Sequence, residues 1–118
     1  SVNNKAWWIA GEDFGRNVAN AFKTDKALNQ EYPIQGQESL TMQEAAQKFA
    51  NGYTKQQLSV GAFPLGMMKF MGIFMPSMKF VSNLMNVMLF NVETFEAQKA
   101  WDELGKPQLT IEKFAQQA

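Results

Sequence analysis

Residues 63–90 constrain the fold of this chain more than any other segment; they read FPLGMMKFMGIFMPSMKFVSNLMNVMLF. They hold seven of the chain's eight methionines and five of its ten phenylalanines. A membrane-spanning helix needs about 20 continuous apolar residues, and here Lys69, Pro76 and Lys79 interrupt the run. Since Pro64 suits the first turn of a helix, the segment predicts two helices with a break at Pro76.

The second of these helices, residues 77–90, is predicted to be amphipathic. Its polar residues recur at helical spacing and are expected to face water; they are Lys79, Ser82, Asn83 and Asn86. The opposite, inward side is expected to hold Phe80, Val81, Leu84, Met85 and Met88. Three interpretations remain open for the segment: plain core, the adaptable wall of an apolar pocket, or a pair of helices on a membrane surface.

Composition excludes several classes of function. The 11 basic and 11 acidic residues give a net charge of zero, which does not favour nucleic acid as a partner. The chain has no Cys and no His, so it forms no disulfides, and zinc sites and Ser–His or Cys–His pairs are not expected. We expect a cytoplasmic protein, and a membrane is not an expected partner.

Two short segments are predicted to be strands, AWWIA at residues 6–10 and EYPIQGQ at residues 31–37. Each precedes a helix, and a β-α-β-α order is typical of parallel strands that join a larger sheet. Two short strands do not make a stable sheet alone. The sequence therefore predicts a mostly helical α/β fragment, with two short parallel strands and about five helices.

The first helix is predicted to begin at Asp13, whose carboxylate suits an N-cap. Phe14, Val18 and Phe22 follow at four-residue spacing and are expected to share one face of this helix. The neighbouring carboxylates of Glu12 and Asp13 could serve acid–base or metal chemistry. Because no third ligand lies nearby in the sequence, helix capping is the favoured interpretation.

Three further signals mark helix ends. Thr41 and Glu44 fit a T-x-x-E capping box, Gly105 fits a helix stop, and Thr110 fits the cap of a last short helix. The helix before Gly105 is expected to bury one row of residues, Ala97, Ala100, Trp101 and Leu104.

Three stretches carry a family resemblance, and together they span nearly the full chain. They are WWIAGEDFGRNVANAF, LNQEYPIQGQESLTMQEAAQKFA and FEAQKAWDELGKPQLTIEKFAQ. In this order and spacing they resemble the C-terminal part of NAD(P)-dependent sugar-epimerase-like proteins. More narrowly, they are similar to the atypical, NmrA-like members of the extended short-chain dehydrogenase family.

The resemblance implies that residues 1–118 form the substrate-binding region and that a Rossmann domain lies upstream of Ser1. That domain would carry the glycine-rich loop and would bind NAD or NADP. The chain has no glycine-rich dinucleotide motif and no Tyr-x-x-x-Lys, since Gly36 and Gln57 stand four residues after its two tyrosines. No catalytic, cofactor-binding or metal-binding residue is therefore expected in this chain.

The resemblance makes four apolar residues candidates for the lining of a substrate cleft: Trp8, Met67, Met71 and Phe74. The expected substrate is small and either apolar or sugar-like, and the parent protein is expected to be an oxidoreductase or epimerase. An alternative is a self-standing interaction or membrane-surface module that uses the helices of residues 63–90. Unpaired strand edges and exposed apolar surface also predict self-association of the fragment.

Overall fold

A computed structural model of the protein describes residues 3–62 and 64–118. Phe63, which opens the Met/Phe segment, lies outside the described residues, as do Ser1 and Val2. The described part is a mostly helical α/β structure with a single two-stranded sheet. Its elements are β1 (Ala6–Trp8), α1 (Gly11–Phe22), a 3-10 turn (Asp25–Ala27), β2 (Glu38–Leu40), α2 (Met42–Gly52), α3 (Leu65–Met71), α4 (Pro76–Phe90), α5 (Gln98–Leu104) and α6 (Ile111–Gln117).

The two strands pair antiparallel, so the prediction of parallel strands was wrong. Ala6 lies opposite Leu40, and Trp8 lies opposite Glu38. The second strand also follows the predicted residues 31–37 instead of occupying them. The order of elements does not fix strand direction, because the connection through α1 is long enough to return along β1 either way.

The local helix signals are confirmed. The Thr41 hydroxyl accepts from the Glu44 N–H at 3.1 Å, and the Glu44 carboxylate accepts from the Thr41 N–H at 2.8 Å. The Thr110 hydroxyl accepts from the Lys113 N–H at 3.2 Å and caps α6. Gly105 ends α5 with a φ of 104°, a value that favours glycine.

Asp13 does not cap α1, in contrast to the prediction. The helix begins two residues earlier, at Gly11, and the N-cap residue Ala10 makes no side-chain hydrogen bond. The carboxylate of Asp13 is instead 1% exposed. It accepts from the backbone N–H groups of Gln108 and Leu109, because the loop that enters α6 supplies donors outside the helix.

The apolar face of α1 lies on the surface of the described structure. Phe14, Val18 and Phe22 are exposed, Phe22 at 89%, whereas Asp13 and Asn17 are buried. The polar side makes the tertiary contacts; for example, Asn20 donates to the Leu104 carbonyl at 2.7 Å. A four-residue spacing identifies an apolar face but does not show whether another element covers it.

Helix α4 departs from its prediction only in part, because Lys79 and Asn83 are exposed, as predicted. Ser82, from the stripe predicted to face water, is buried, whereas Phe80 and Leu84 are exposed. The Ser82 hydroxyl donates to the Lys79 carbonyl at 3.1 Å, which satisfies it inside the structure. Met85 and Met88 do turn toward the body of the molecule, as predicted, and line a pocket described below.

The buried apolar core is built from small side chains. Among the described residues it consists of Ala45, Ala97, Ala100, Leu104 and Ala115, which confirms the inward row of α5. Helices α2 and α6 pack closely at Gly52, where an added Cβ would lie 2.4 Å from the Glu112 carbonyl oxygen. The large apolar side chains thus contribute more to surfaces and to the pocket than to this core.

The helices of the described residues are all too short or too polar to cross a bilayer.

Candidate functional site: an apolar pocket beside Trp8

A pocket of about 550 Å³ lies between β1, α2, α4 and α6. Its lining contains no charged side chain and one hydroxyl, that of Thr110. The lining residues are Trp8, Ile9, Ala10, Gly11, Met42, Ala45, Ala46, Phe49, Met85, Met88, Leu109, Thr110, Ile111 and Phe114. Pockets of this size fit small organic molecules, and this lining selects for an apolar, uncharged group.

Trp8 is held in the pocket wall by the sheet. Its indole Nε1–H donates to the Leu40 carbonyl at 3.0 Å, which joins the side chain to β2. The neighbouring Trp7 packs against Phe95 with tilted rings, whose centroids are 4.9 Å apart, and Phe95 contacts Trp101 edge to face at 4.7 Å. Alternation along β1 therefore sends one tryptophan to the pocket and the other to a separate aromatic cluster.

Helices α2 and α6 form the aromatic wall. The rings of Phe49 and Phe114 lie 6.3 Å apart, centroid to centroid. Ala45 and Ala46 on the same helix as Phe49 present only methyl groups, which leaves the space that the pocket occupies. Three flexible methionines complete the lining, Met42, Met85 and Met88, and such side chains adapt to ligands of different shape.

Glu38 ties the walls of the pocket together. Its Oε1 accepts from the Lys48 ammonium of α2 at 2.8 Å, and its Oε2 accepts from the Ile111 N–H at the start of α6, at 3.1 Å. The hydrogen bond to Glu38 raises the pKa of Lys48. One carboxylate on β2 thus fixes α2 and α6 relative to each other while its charge stays paired.

A second polar cluster fixes the other side of β1. The buried Gln35 side chain donates to Glu93 Oε1 at 2.6 Å and to the Thr94 carbonyl at 2.8 Å, and it accepts from the Glu96 N–H at 2.7 Å. Glu93 Oε2 in turn accepts from the Trp7 N–H at 3.0 Å. These bonds hold the segment that precedes α5 against the strand.

The structure separates the four predicted site residues. Trp8 lines the apolar pocket, whereas Met67 and Met71 belong to α3, and Phe74 lines a different cleft between α3 and α4. The helical spacing of Met42, Ala45, Ala46 and Phe49 predicts one buried face of α2 and was a usable sequence signal for Phe49. The loop before α6 and the first residue of that helix carried no comparable signal, so Leu109 and Ile111 were missed.

The pocket lining offers apolar contacts and a single hydroxyl group. Among residues 3–62 and 64–118, no group of three or more acidic residues comes together as a metal site. Comparison with protein-family models, curated proteins and solved structures gives no match for this chain.

Proposed function

We propose that the chain is the substrate-side region of an NAD(P)-binding, epimerase- or dehydrogenase-like oxidoreductase of the cytoplasm. In this proposal the chain does not catalyse a reaction by itself. An upstream Rossmann domain binds NAD or NADP, and the pocket beside Trp8 receives the apolar part of a small substrate.

The observation that carries the proposal is the position of the uncharged pocket. Its lining includes Trp8 at the carboxyl end of β1 and Gly11 at the start of α1. In open, mostly parallel α/β sheets, ligands bind at the carboxyl ends of strands, and the proposed parent protein would supply such a sheet upstream. A second domain placed at this end would bring a bound nicotinamide toward the ligand.

The outer face of α1 supports the second domain. Phe14, Val18 and Phe22 form an exposed apolar row on a helix whose buried face is polar. An apolar row of this kind is typical of a helix that packs on a sheet. The row therefore suits contact with the sheet of the upstream domain.

Ligand binding can be tested by titrating octan-1-ol, octanoate and octylamine into the protein. Calorimetry and Trp fluorescence detect the binding. We expect binding of the alcohol and much weaker binding of both charged analogues, because the lining offers no counter-charge. Ala46→Phe should abolish the signal by filling the pocket. Ala19→Phe, at an exposed position of α1, is the matched control and should bind normally. Equal binding of all three ligands would contradict the proposal. Binding of octan-1-ol to Ala46→Phe as strong as to the original protein would also contradict it.

A separate experiment tests whether the upstream domain, and not this chain, binds the dinucleotide. NAD or NADP titrated into the 118-residue chain should give no specific heat, since the cofactor loop belongs to the upstream domain. Micromolar binding of either dinucleotide to this chain alone would contradict that part of the proposal and leave the ligand test unaffected.

A further inference from the structure

The hairpin formed by α3 and α4 exposes several large apolar side chains. Ile73 and Phe74, at the turn, are each 75% exposed, and Phe80 on the first turns of α4 is 70% exposed. Leu84 and Val87 extend this exposed face along α4. A group of exposed apolar side chains of this kind marks an interaction site on a folded protein.

A basic cleft adjoins this surface. Lys69 and Lys79 line one cleft of about 700 Å³, together with Pro76, the first residue of α4. The close approach of the helices depends on Gly72, where an added Cβ would lie 3.0 Å from the Lys79 Cα. Both lysines are exposed, and the positive end of the α4 dipole adds to their field.

No acidic residue balances this charge within the hairpin. The sequence from residue 45 to residue 92 contains no Asp and no Glu. An occupant of the face must therefore be apolar where it meets Ile73 and Phe80, and anionic where it meets Lys69 and Lys79. A bilayer that contains anionic lipids has both properties, with acyl chains beneath a layer of phosphates.

We propose that the outer face of the α3–α4 hairpin docks on the surface of an anionic lipid bilayer. The exposed aromatic and aliphatic side chains enter the region between headgroups and acyl chains, and Lys69 and Lys79 meet lipid phosphates. A second copy of the chain fits this face less well, because two such faces would bring lysines together without a carboxylate between them. The helices lie on the surface, since they are too short to cross it.

Docking of this face would leave the apolar pocket on the protein side of α4. Met85 and Met88 line that pocket from the same helix whose Phe80 and Leu84 point outward. One helix would thus separate the lipid from the ligand site. The docking proposal stands independently of which ligand the pocket holds.

The first test is sedimentation of the purified protein with vesicles of phosphatidylcholine, with and without phosphatidylglycerol. We expect pelleting with the anionic vesicles and a loss of binding at high salt. Lys69→Glu combined with Lys79→Glu should lower the partition coefficient about tenfold or more. Lys23→Glu combined with Lys113→Glu changes the net charge equally at exposed sites elsewhere and should have little effect. Equal pelleting with both vesicle types, or unchanged pelleting of the hairpin variant, would overturn the proposal.

The apolar half of the proposal needs its own variants. Ile73→Ser combined with Phe80→Ser should reduce binding to anionic vesicles while circular dichroism stays unchanged, because both side chains are already exposed. Leu28→Ser, at a position that is 72% exposed and lies outside both the hairpin and α1, is the control and should bind as the original protein does. Light scattering distinguishes the protein alternative. The bilayer proposal would be overturned if the original protein does not bind vesicles and the hairpin substitutions convert an oligomer to monomers. That result would assign the face to a second copy of the chain.

Discussion

The carboxylate of Asp13 and the backbone N–H of Leu109 are joined by a hydrogen bond of 2.8 Å across 96 positions of sequence. The same oxygen accepts from the Gln108 N–H at 3.1 Å, and the other oxygen pairs with the Arg16 guanidinium at 2.6 Å. Leu109 lines the apolar pocket. A buried acid on α1 thus positions the loop that closes one side of the ligand site.

Removal of this carboxylate should destabilise the fold strongly. Asp13→Ala leaves two backbone donors and the Arg16 guanidinium without their acceptor, and we expect a loss of about 3 kcal/mol in the free energy of unfolding. Urea denaturation measures it. Glu12→Ala, next to it but on an exposed side chain, should change stability by less than about 0.5 kcal/mol. Equal effects of the two substitutions would contradict this role for Asp13.

Gly36 should be intolerant of any side chain. An added Cβ would lie 1.4 Å from the Trp8 carbonyl oxygen, so Gly36→Ala must separate the segment before β2 from β1. We expect a loss of about 3 kcal/mol or more in the free energy of unfolding. Gly15→Ala is the matched control, because nothing lies within 4 Å of its added Cβ. It lies inside α1 and should gain about 0.5–1 kcal/mol. A stable Gly36→Ala protein would rule out this packing.

The capping box of α2 should make stability depend on pH. The hydrogen bond from the Thr41 backbone N–H lowers the pKa of Glu44 below its ordinary value of 4.5. The folded state therefore favours the charged carboxylate. Its contribution is fully present above the ordinary pKa and is lost as the pH falls through the folded value.

Thermal unfolding of the original protein and of Glu44→Gln tests this sign. The original protein should have the higher Tm near neutral pH, and its advantage should shrink below about pH 4.5 as Glu44 becomes protonated. A Tm difference that stays constant from about pH 7 to about pH 3 would show that the charge of Glu44 is not involved.

The exposed apolar row of α1 predicts self-association of the 118-residue chain. Phe14 and Phe22 lie on a helix face that the described residues leave uncovered, and association removes such surface from water. Light scattering should detect a dimer or larger assembly, and Phe14→Ser combined with Phe22→Ser should shift it toward the monomer. A monodisperse monomer of the original chain at high concentration would contradict the prediction.

The sequence was most informative where a few neighbouring residues decide the structure. The Thr41–Glu44 box, the Thr110 cap and the Gly105 stop all appear as predicted, because each depends on bonds within one helix turn. The inward row of α5 was also predictable, since Ala97, Ala100 and Leu104 pack inside the chain itself.

The features that the sequence did not predict depend on long-range contacts. Strand direction, the role of Asp13 and the outward faces of α1 and α4 depend on which distant segment approaches each element. The bond from Asp13 to Leu109 has no local signature. Periodicity showed that α4 has two faces, but the burial of Ser82 and the exposure of Phe80 depend on how α4 packs. Long-range packing also explains why Trp8 does not share a cleft with Met67, Met71 and Phe74, although the four were predicted to line one cleft.

The central claim is that the ligand site is the pocket beside Trp8, and methionine methyl NMR tests it most directly. The chain has eight methionines; Met42, Met85 and Met88 line the pocket, and Met67 and Met71 belong to α3. With ¹³C-methyl methionine and increasing octan-1-ol, the first three resonances should shift together along one saturable curve, and those of Met67 and Met71 should stay in place. Saturable shifts confined to Met67 and Met71 would contradict the account and move the ligand site to the hairpin.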